Sequence, residues 1–223
     1  MTSALLDLIA TAPAIACSAC FLQVRCRYDG AAKANTRVQG ELAQRAERLD
    51  NLPSDAFERV DAVHGREREL WEIFEAAQAK ADLQLDIEAI HPFLLRGVLP
   101  ICPELFGGLG LPRTPADLSL GDGHDVLAGK ARVLDRSGAD VTHAFLKGAQ
   151  LALALARAHG VRVAILKERS PSCGVHQIHR DGALVEGQGV TAALFAREGI
   201  EVFSEEDVEA LPCSPPRVRR DPS

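Results

Sequence analysis

The sequence predicts an α/β fold built on a three-layer, mostly parallel, Rossmann-like sheet with helices on both faces. The order helix, glycine, strand occurs twice, which is typical of parallel strands joined by covering helices. One of the predicted strands, VRVAIL, is apolar on both faces, as expected for a buried parallel strand. The two repeats of this order are residues 140–159, Gly160 and residues 161–166, then residues 190–198, Gly199 and residues 200–203.

Earlier elements follow from apolar runs and turn residues. Residues 14–21 (AIACSACF) form an apolar run that predicts the first strand, and residues 97–101 (GVLPI) predict another. A helical insertion is expected over residues 36–90, where apolar residues recur at helical spacing. The Gly- and Pro-rich stretch 107–115 predicts a loop, and the pair Asp181-Gly182 predicts a hairpin.

Length and composition limit the classes of protein. The 223 residues, 47% of them hydrophobic, suit one domain over 1–223, with the insertion at 36–90 and a disordered tail at 212–223. A formal charge of −6 argues against a nucleic-acid partner, and no apolar run reaches the ~18 residues of a membrane span. Residues 1–16 lack a basic start and contain Asp7, so we expect no export signal and a cytoplasmic protein. No oligomeric state follows from the sequence.

The six cysteines of the chain are its main candidates for a chemical role. A sizeable core and no export signal favour reduced thiols over disulfides. Three of the cysteines follow predicted strands: Cys20 closes the first, Cys102 follows residues 97–101, and Cys173 lies in the loop after residues 161–166. Ligands of open parallel sheets bind outside the carboxyl ends of the strands. If these strands are neighbours, the three thiols converge on one rim.

Several interpretations of these thiols are open from the residues alone. Three thiolates suit a zinc ion with an open fourth position or an iron–sulfur cluster with one iron lacking a protein ligand. Unrelated buried cysteines are the plainer alternative. Cys17 and Cys20 have the C-x-x-C spacing of a redox pair, although a strand would point them to opposite faces. Cys26 and Cys213 are expected to be incidental.

The residues around these thiols resemble a known family. The chain is similar to the small bacterial proteins long described as a domain of unknown function, whose characterised representative is a thiouracil desulfurase. The resemblance covers residues 14–33 and 97–206. It rests on SACFLQVRCRYDG (18–30), PICPELFGGLGLPRTPADL (100–118), GDGHDVLAGKARVLDRSGADVTHAFLKGA (121–149), LKERSPSCG (166–174) and GVTAALFAREGIEVFSEE (189–206).

This resemblance implies an α/β domain that holds a [4Fe-4S] cluster through three cysteines. By motif the ligands are Cys20, Cys102 and Cys173, and the fourth iron is free to take sulfur from the substrate. The implied reaction is the hydrolytic removal of sulfur from a small thiolated, thiopyrimidine-like substrate such as thiouracil. A sensor or structural module that uses the same three thiols without catalysis is the alternative function.

The implied chemistry also needs groups that move protons. Glu104, two residues after Cys102, is the expected general base, and Asp29 is the second candidate. Ser172, adjacent to Cys173, is expected to donate a hydrogen bond to the substrate. The insertion and the short loop 175–188 depart from the family pattern, so the substrate can differ from thiouracil itself. The insertion itself suits a lid, an oligomer contact or a neutral decoration.

Overall fold

A computed structural model describes residues 5–6, 9, 12, 14–49, 93 and 96–211 of the chain. Most of the predicted helical insertion (residues 50–90) and the tail 212–223 lie outside the described residues, so those two expectations stay predictions. The described elements, in chain order, are β1 (Ala14–Ser18), a 3-10 turn (Ala19–Leu22), α1 (Thr36–Leu49), β2 (Val98–Ile101), α2 (Pro103–Phe106), β3 (Ala116–Ser119), α3 (Gly123–Leu127), β4 (Arg132–Asp135), α4 (Thr142–Ala158), β5 (Val161–Leu166), β6 (Gln177–Arg180), β7 (Ala183–Glu186), α5 (Val190–Arg197), β8 (Glu201–Ser204) and α6 (Glu205–Glu209).

A parallel sheet forms the core of the described part. Its strand order is β2-β1-β5-β8, and every neighbouring pair is parallel. All five residues of β1 are buried, as are all four of β2, which accounts for their unbroken apolar sequences. β5 buries all of its residues except the second. The prediction of an α/β fold with a mostly parallel sheet and helices is therefore confirmed.

A second sheet lies beside the first in the described chain and was not predicted as such. Its order is β4-β3-β6-β7, with two antiparallel pairs flanking the parallel pair β3–β6. The predicted hairpin joins β6 to β7, and Asp181 and Gly182 both have positive φ, 50° and 78°. Two positive φ values are typical of the tight turn whose twist matches antiparallel strands.

Helices cover the sheets and fix the loops at the strand ends. α4 packs against β5, α5 packs against β8, and α4 and α5 pack against each other. α2 also packs on α4, where Gly148 lies directly against the backbone of α2. Within the described residues, no helix is both long enough and apolar enough to cross a membrane.

Local structure differs from the prediction at two places. The first strand ends at Ser18 instead of residue 21, because the chain turns into the 3-10 helix that carries Cys20. The region between residues 116 and 135 forms β3, α3 and β4, short elements of four or five residues with mixed polarity. Such segments carry too little periodicity to be recognised from sequence.

Candidate functional site

Three neighbouring strands bring three thiols to the same edge of the parallel sheet. Cys102 follows β2 directly, Cys20 lies in the 3-10 turn after β1, and Cys173 lies in the loop after β5. Because β2, β1 and β5 are adjacent and parallel, their carboxyl ends lie side by side. The condition on which the predicted convergence depended is therefore confirmed for the sheet.

A fourth thiol lies in the same cluster. Cys26 is buried, and the neighbouring Cys102 and Cys20 side chains raise the pKa of its thiol. The Cys102 thiol also donates to the Cys26 carbonyl oxygen, at 3.6 Å. Cys17 stays in β1 and donates to the Ser18 carbonyl oxygen at 3.8 Å. Cys26 was expected to be incidental, whereas its backbone carbonyl contacts both Cys102 and Arg113.

The four clustered thiols are not electrostatically equivalent. The hydrogen bond from Cys26 lowers the pKa of Cys102, and the nearby Arg113 charge adds to this effect against the opposing effect of burial. The same contacts, first with Cys102 and then with Cys20, raise the pKa of Cys26, and burial raises it further. Burial is the main cause that raises the pKa of Cys173. Of Cys26, Cys102 and Cys173, Cys102 is thus the one whose pKa is lowered, because its neighbours outweigh the effect of burial.

A buried carboxylate shapes the loop that carries Cys173. Glu168 is 1% exposed, and its Oε1 accepts hydrogen bonds from the backbone N–H groups of Arg169, Val175, His176 and Gln177 at 2.8–3.2 Å. The Oε2 atom of Glu205 in turn accepts from the Glu168 backbone N–H at 2.7 Å. These bonds close the loop around Cys173 and satisfy the charge of Glu168 inside the protein.

A cavity of about 320 Å³ opens beside the thiol cluster. Glu104, two residues after Cys102, lines it, and so do Ser170 and Pro171 from the Cys173 loop. Basic side chains dominate the remaining wall, although the whole chain carries a formal charge of −6. The basic residues are Arg27, Lys33, Arg113, Arg136, Lys167 and Arg169.

An ion pair connects the cavity wall to the thiols. The Nε and Nη2 atoms of Arg113 donate to Glu104 Oε2 at 2.7 and 2.6 Å. Arg113 Nη2 also donates to the Cys26 carbonyl oxygen at 3.1 Å. Burial lowers the pKa of Arg113, but Glu104 and the Cys102 thiol raise it more, so the guanidinium is held firmly charged.

The other two predicted polar residues occupy different surroundings. Ser172 is 1% exposed, and its hydroxyl pairs with that of Thr191 at 2.9 Å, away from the wall residues Ser170 and Pro171. Asp29 lies in an exposed turn, where it accepts from the Ala31 N–H at 3.0 Å. The structure thus brings Glu104 to the cavity, and it uses Ser172 and Asp29 in local hydrogen bonds.

Ser170 lines the cavity, although the sequence favoured Ser172 as the serine that contacts substrate. Its Oγ accepts from the backbone N–H groups of Ser172 and Cys173 at 3.2 and 3.1 Å, and its side chain lines the cavity. Both acceptor bonds leave the hydroxyl proton available for donation. The S-P-S-C segment contains two serines. Only the folded structure shows that Ser170 lines the cavity and that Ser172 is buried against Thr191.

The donor set fits an iron–sulfur group by its chemistry. Soft thiolates are the ligands of such clusters, and the described cysteines of this region are free and buried. Among the described residues, no three His, Cys, Asp or Glu side chains form a ready metal-holding group. The thiols instead act on one another through their mutual effects on pKa, which raise the pKa of Cys26 and lower that of Cys102.

Comparisons with known proteins identify chains that are similar to this one. Residues 77–207 match the family described as 2-thiouracil desulfurase. The chain is 44% identical over 113 residues to the uncharacterized protein YbbK of Bacillus subtilis (strain 168), which covers 49% of this chain and 75% of that protein. A solved structure, the [4Fe-4S]-dependent thiouracil desulfidase TudS, superposes with a TM-score of 0.55 at 32% identity, covering 89% of this chain and 94% of the other.

Proposed function

Since the chain belongs to the 2-thiouracil desulfurase family, we propose that it is a desulfurase that removes sulfur from a small thiolated pyrimidine by hydrolysis. The observation that carries the proposal is the meeting of thiols from three adjacent strand ends beside a cavity that contains a carboxylate. Cys20, Cys102 and Cys173 would hold a [4Fe-4S] cluster, the group named for the TudS neighbour.

Held by Cys20, Cys102 and Cys173, such a cluster would supply a Lewis acid for the thiocarbonyl sulfur of the substrate. All three cysteines are buried, at 4–8% exposure. Replacing sulfur by a water oxygen converts the thiocarbonyl to a carbonyl and releases sulfide. The net reaction is a hydrolysis, so it consumes neither an oxidant nor a reductant.

Glu104 is the proposed general base. It lines the cavity, and both Arg113 contacts are made to Oε2, which leaves Oε1 without a partner among the described residues. The ion pair fixes the carboxylate next to the thiol cluster, so that Oε1 can take a proton from a water molecule at the reacting carbon. Asp29 remains a second candidate, although its neighbours Arg27 and Tyr28 line the cavity and Asp29 itself does not.

Ser172 was expected to donate a hydrogen bond to the substrate, and we assign that role to Ser170 instead. The Ser170 hydroxyl lines the cavity and is the proposed donor to the substrate ring. Ser172, through its bond to Thr191, anchors the loop next to Cys173. An anchor of this kind keeps a ligand cysteine in place without contacting the substrate.

The basic wall of the cavity supports a substrate that carries a negative charge near its thiocarbonyl. Lys33, Arg113 and Arg169 are paired with carboxylates, but Arg136 makes no ion pair within the described part of the chain. An unpaired guanidinium favours a carboxylate or phosphate group on the ligand. We therefore propose a thiolated pyrimidine with an anionic substituent as a better substrate than the uncharged base.

The proposal is tested with protein prepared anaerobically and supplied with iron and sulfide. Iron and acid-labile sulfide are measured first, and then sulfide release and the loss of thiocarbonyl absorbance are followed with thiouracil. Glu104→Gln is expected to keep the cluster and lose at least ~10²-fold in turnover, as removal of a general base does. Glu186→Gln, an exposed glutamate in β7, is the control and is expected to match the parent protein.

Two results would count against the proposal. Protein that binds zinc and no iron under these conditions overturns it. Protein that binds the cluster but releases no sulfide from any thiolated pyrimidine indicates instead a sensor that uses the same thiols. Because free buried thiols and an exposed iron both require reducing conditions, we propose a cytoplasmic location for the active protein.

A further inference from the structure

Tyr28 is an aromatic side chain on the cavity wall to which the proposed reaction assigns no role. It is the one tyrosine of the chain, and it supplies the only benzene ring among the described residues of that wall. Most of the wall is made of charged side chains, whereas the Tyr28 side chain is largely apolar and 42% exposed. A half-exposed ring beside a cavity offers a flat apolar surface to a ligand.

Hydrogen bonds of its backbone and of its loop fix Tyr28 near the proposed general base. The Tyr28 carbonyl oxygen accepts from the Arg113 N–H at 2.9 Å. The side chain of the same Arg113 donates from Nε and Nη2 to Glu104 Oε2, at 2.7 and 2.6 Å. Across the loop, Arg25 Nε donates to the Gly30 carbonyl oxygen at 3.0 Å. Because none of these bonds involves the phenol, a change of the Tyr28 side chain leaves them in place.

A neighbouring cation holds the Tyr28 ring. The Arg27 guanidinium lies over the ring at 5.6 Å from its centroid, which is within the range of a cation–π contact. Arg27 is itself held by Asp29, with 3.4 Å between Arg27 Nη2 and Asp29 Oδ2. An aromatic ring has two faces, and the guanidinium covers only one of them. The second face suits another planar group, which would stack on it with an offset.

We propose that Tyr28 is a specificity-determining residue whose ring stacks against the pyrimidine ring of the substrate. The inference deepens the proposed function and rests on it for the class of substrate. Stacking uses the flat π surface of a ring, so it does not depend on the hydrogen-bonding groups at the edge of that ring. Tyr28 therefore selects planar, unsaturated thiocarbonyl rings over saturated ones and holds them in the cavity that Glu104 also lines.

The inference is tested on the full chain with cluster, using two substrates that share the thiocarbonyl and its two nitrogen neighbours. Thiouracil with sulfur between the ring nitrogens is planar, whereas its dihydro analogue is saturated at one ring bond and puckered. The selectivity is the ratio of kcat/KM for the planar compound to kcat/KM for the puckered one. Comparing this ratio between variants cancels the different reactivities of the two compounds. Calorimetric binding of uracil, the expected product, provides a readout without turnover.

Two variants of Tyr28 separate the ring from its size and its hydroxyl. Tyr28→Leu removes the ring and keeps an apolar side chain, and it is expected to lower uracil affinity about tenfold and the selectivity several-fold, at unchanged iron content. Tyr28→Phe keeps the ring and is expected to stay within about twofold of the parent protein. Leu184→Ala is the control, because Leu184 is 44% exposed in β7 and does not line the cavity. It is expected to match the parent protein.

The contrary results distinguish the inference from the proposed function. If the parent protein releases sulfide but Tyr28→Leu leaves the selectivity and uracil affinity unchanged, the inference is overturned and the proposed function stands. The inference is also overturned if Tyr28→Phe loses as much as Tyr28→Leu, or if Tyr28→Leu loses iron. If the parent protein releases no sulfide, the proposed function fails and the uracil titration decides the inference. A loss of affinity in Tyr28→Leu then supports stacking, and an unchanged affinity or no binding by the parent protein overturns it.

Discussion

Replacing Gly148 with alanine tests the contact on which the position of Cys102 depends. Gly148 lies in α4, and a Cβ atom built on it would sit 1.8 Å from the Pro103 carbonyl oxygen and 2.7 Å from the Pro103 carbonyl carbon. Pro103 is the first residue of α2, so the helix that begins directly after Cys102 is the one that must move.

The magnitude follows from two opposing effects. Alanine normally stabilises a helix interior over glycine by about 1 kcal/mol. Here the Cβ must retreat from 1.8 Å to at least 3.0 Å from an oxygen that belongs to the backbone and cannot rotate away. Overpacking of this kind costs roughly 1–3 kcal/mol or more, and a rigid neighbour places it at the upper end. The net expectation is a loss of about 2 kcal/mol in the free energy of unfolding.

Gly40 provides a matched control in another helix. It lies in α1, and a Cβ built there meets no atom within 4 Å, so Gly40→Ala should gain up to about 1 kcal/mol. Urea unfolding followed by circular dichroism measures both variants against the parent protein. Iron content after anaerobic reconstitution measures the effect on the site, and it should fall in Gly148→Ala only.

The reasoning is refuted if Gly148→Ala is as stable as the parent protein or gains stability as Gly40→Ala does. Such a result would mean that α2 and α4 can separate at no cost. An intermediate result, with lost stability but full iron content, would show that α2 moves without carrying Cys102 out of its ligating position.

Three further predictions concern the loop and the cavity. Glu168→Gln should lower the free energy of unfolding by about 2–3 kcal/mol in urea titrations and reduce iron retention by Cys173, because a charged acceptor of several backbone N–H groups is lost. Burial lowers the pKa of His176, but Asp207 raises it more, so this half-exposed pair stabilises the fold below roughly pH 6.5 and its contribution fades as pH rises through the raised pKa. His176→Gln should therefore cost about 0.5 kcal/mol at pH 6 and less at pH 8.5, and equal costs at both pH values would contradict the pairing. Arg136→Ala should raise KM several-fold for a thiolated pyrimidine that carries a carboxylate or phosphate group, and it should leave KM for thiouracil unchanged. Equal effects on the two substrates would show that Arg136 does not bind an anionic group of the substrate.

The parallel sheet could be predicted from the sequence because nearly all residues of its central strands are buried. β1, β2 and β5 are apolar runs with no exposed face to interrupt them, and Gly160 and Gly199 separate helices from strands in the expected way. The second sheet has half-buried strands of four residues. In such strands too few alternations occur to distinguish a strand from a polar loop.

The ligand positions were predictable because strand ends in a parallel sheet share one edge. Cys26 was not predictable in this way, because it follows no strand and its contact with Cys102 spans 76 positions along the chain. Arg113 was missed for the same reason: its loop returns to Glu104 and Cys26 only after the chain has folded. Contacts between two loops leave no periodic pattern in the sequence, so packing alone determines them.

The three glutamates near the thiols differ in how many hydrogen bonds already occupy their carboxylate oxygens. Glu168 is 1% exposed, and backbone N–H groups already occupy its carboxylate. Glu205 is 2% exposed and is occupied by Lys33 and by the Glu168 N–H. Both carboxylates are therefore committed to hydrogen bonds that shape the Cys173 loop. Glu104 is 20% exposed at its side chain and uses only Oε2 in its ion pair, so of the three glutamates it is the one whose geometry suits the proposed general base.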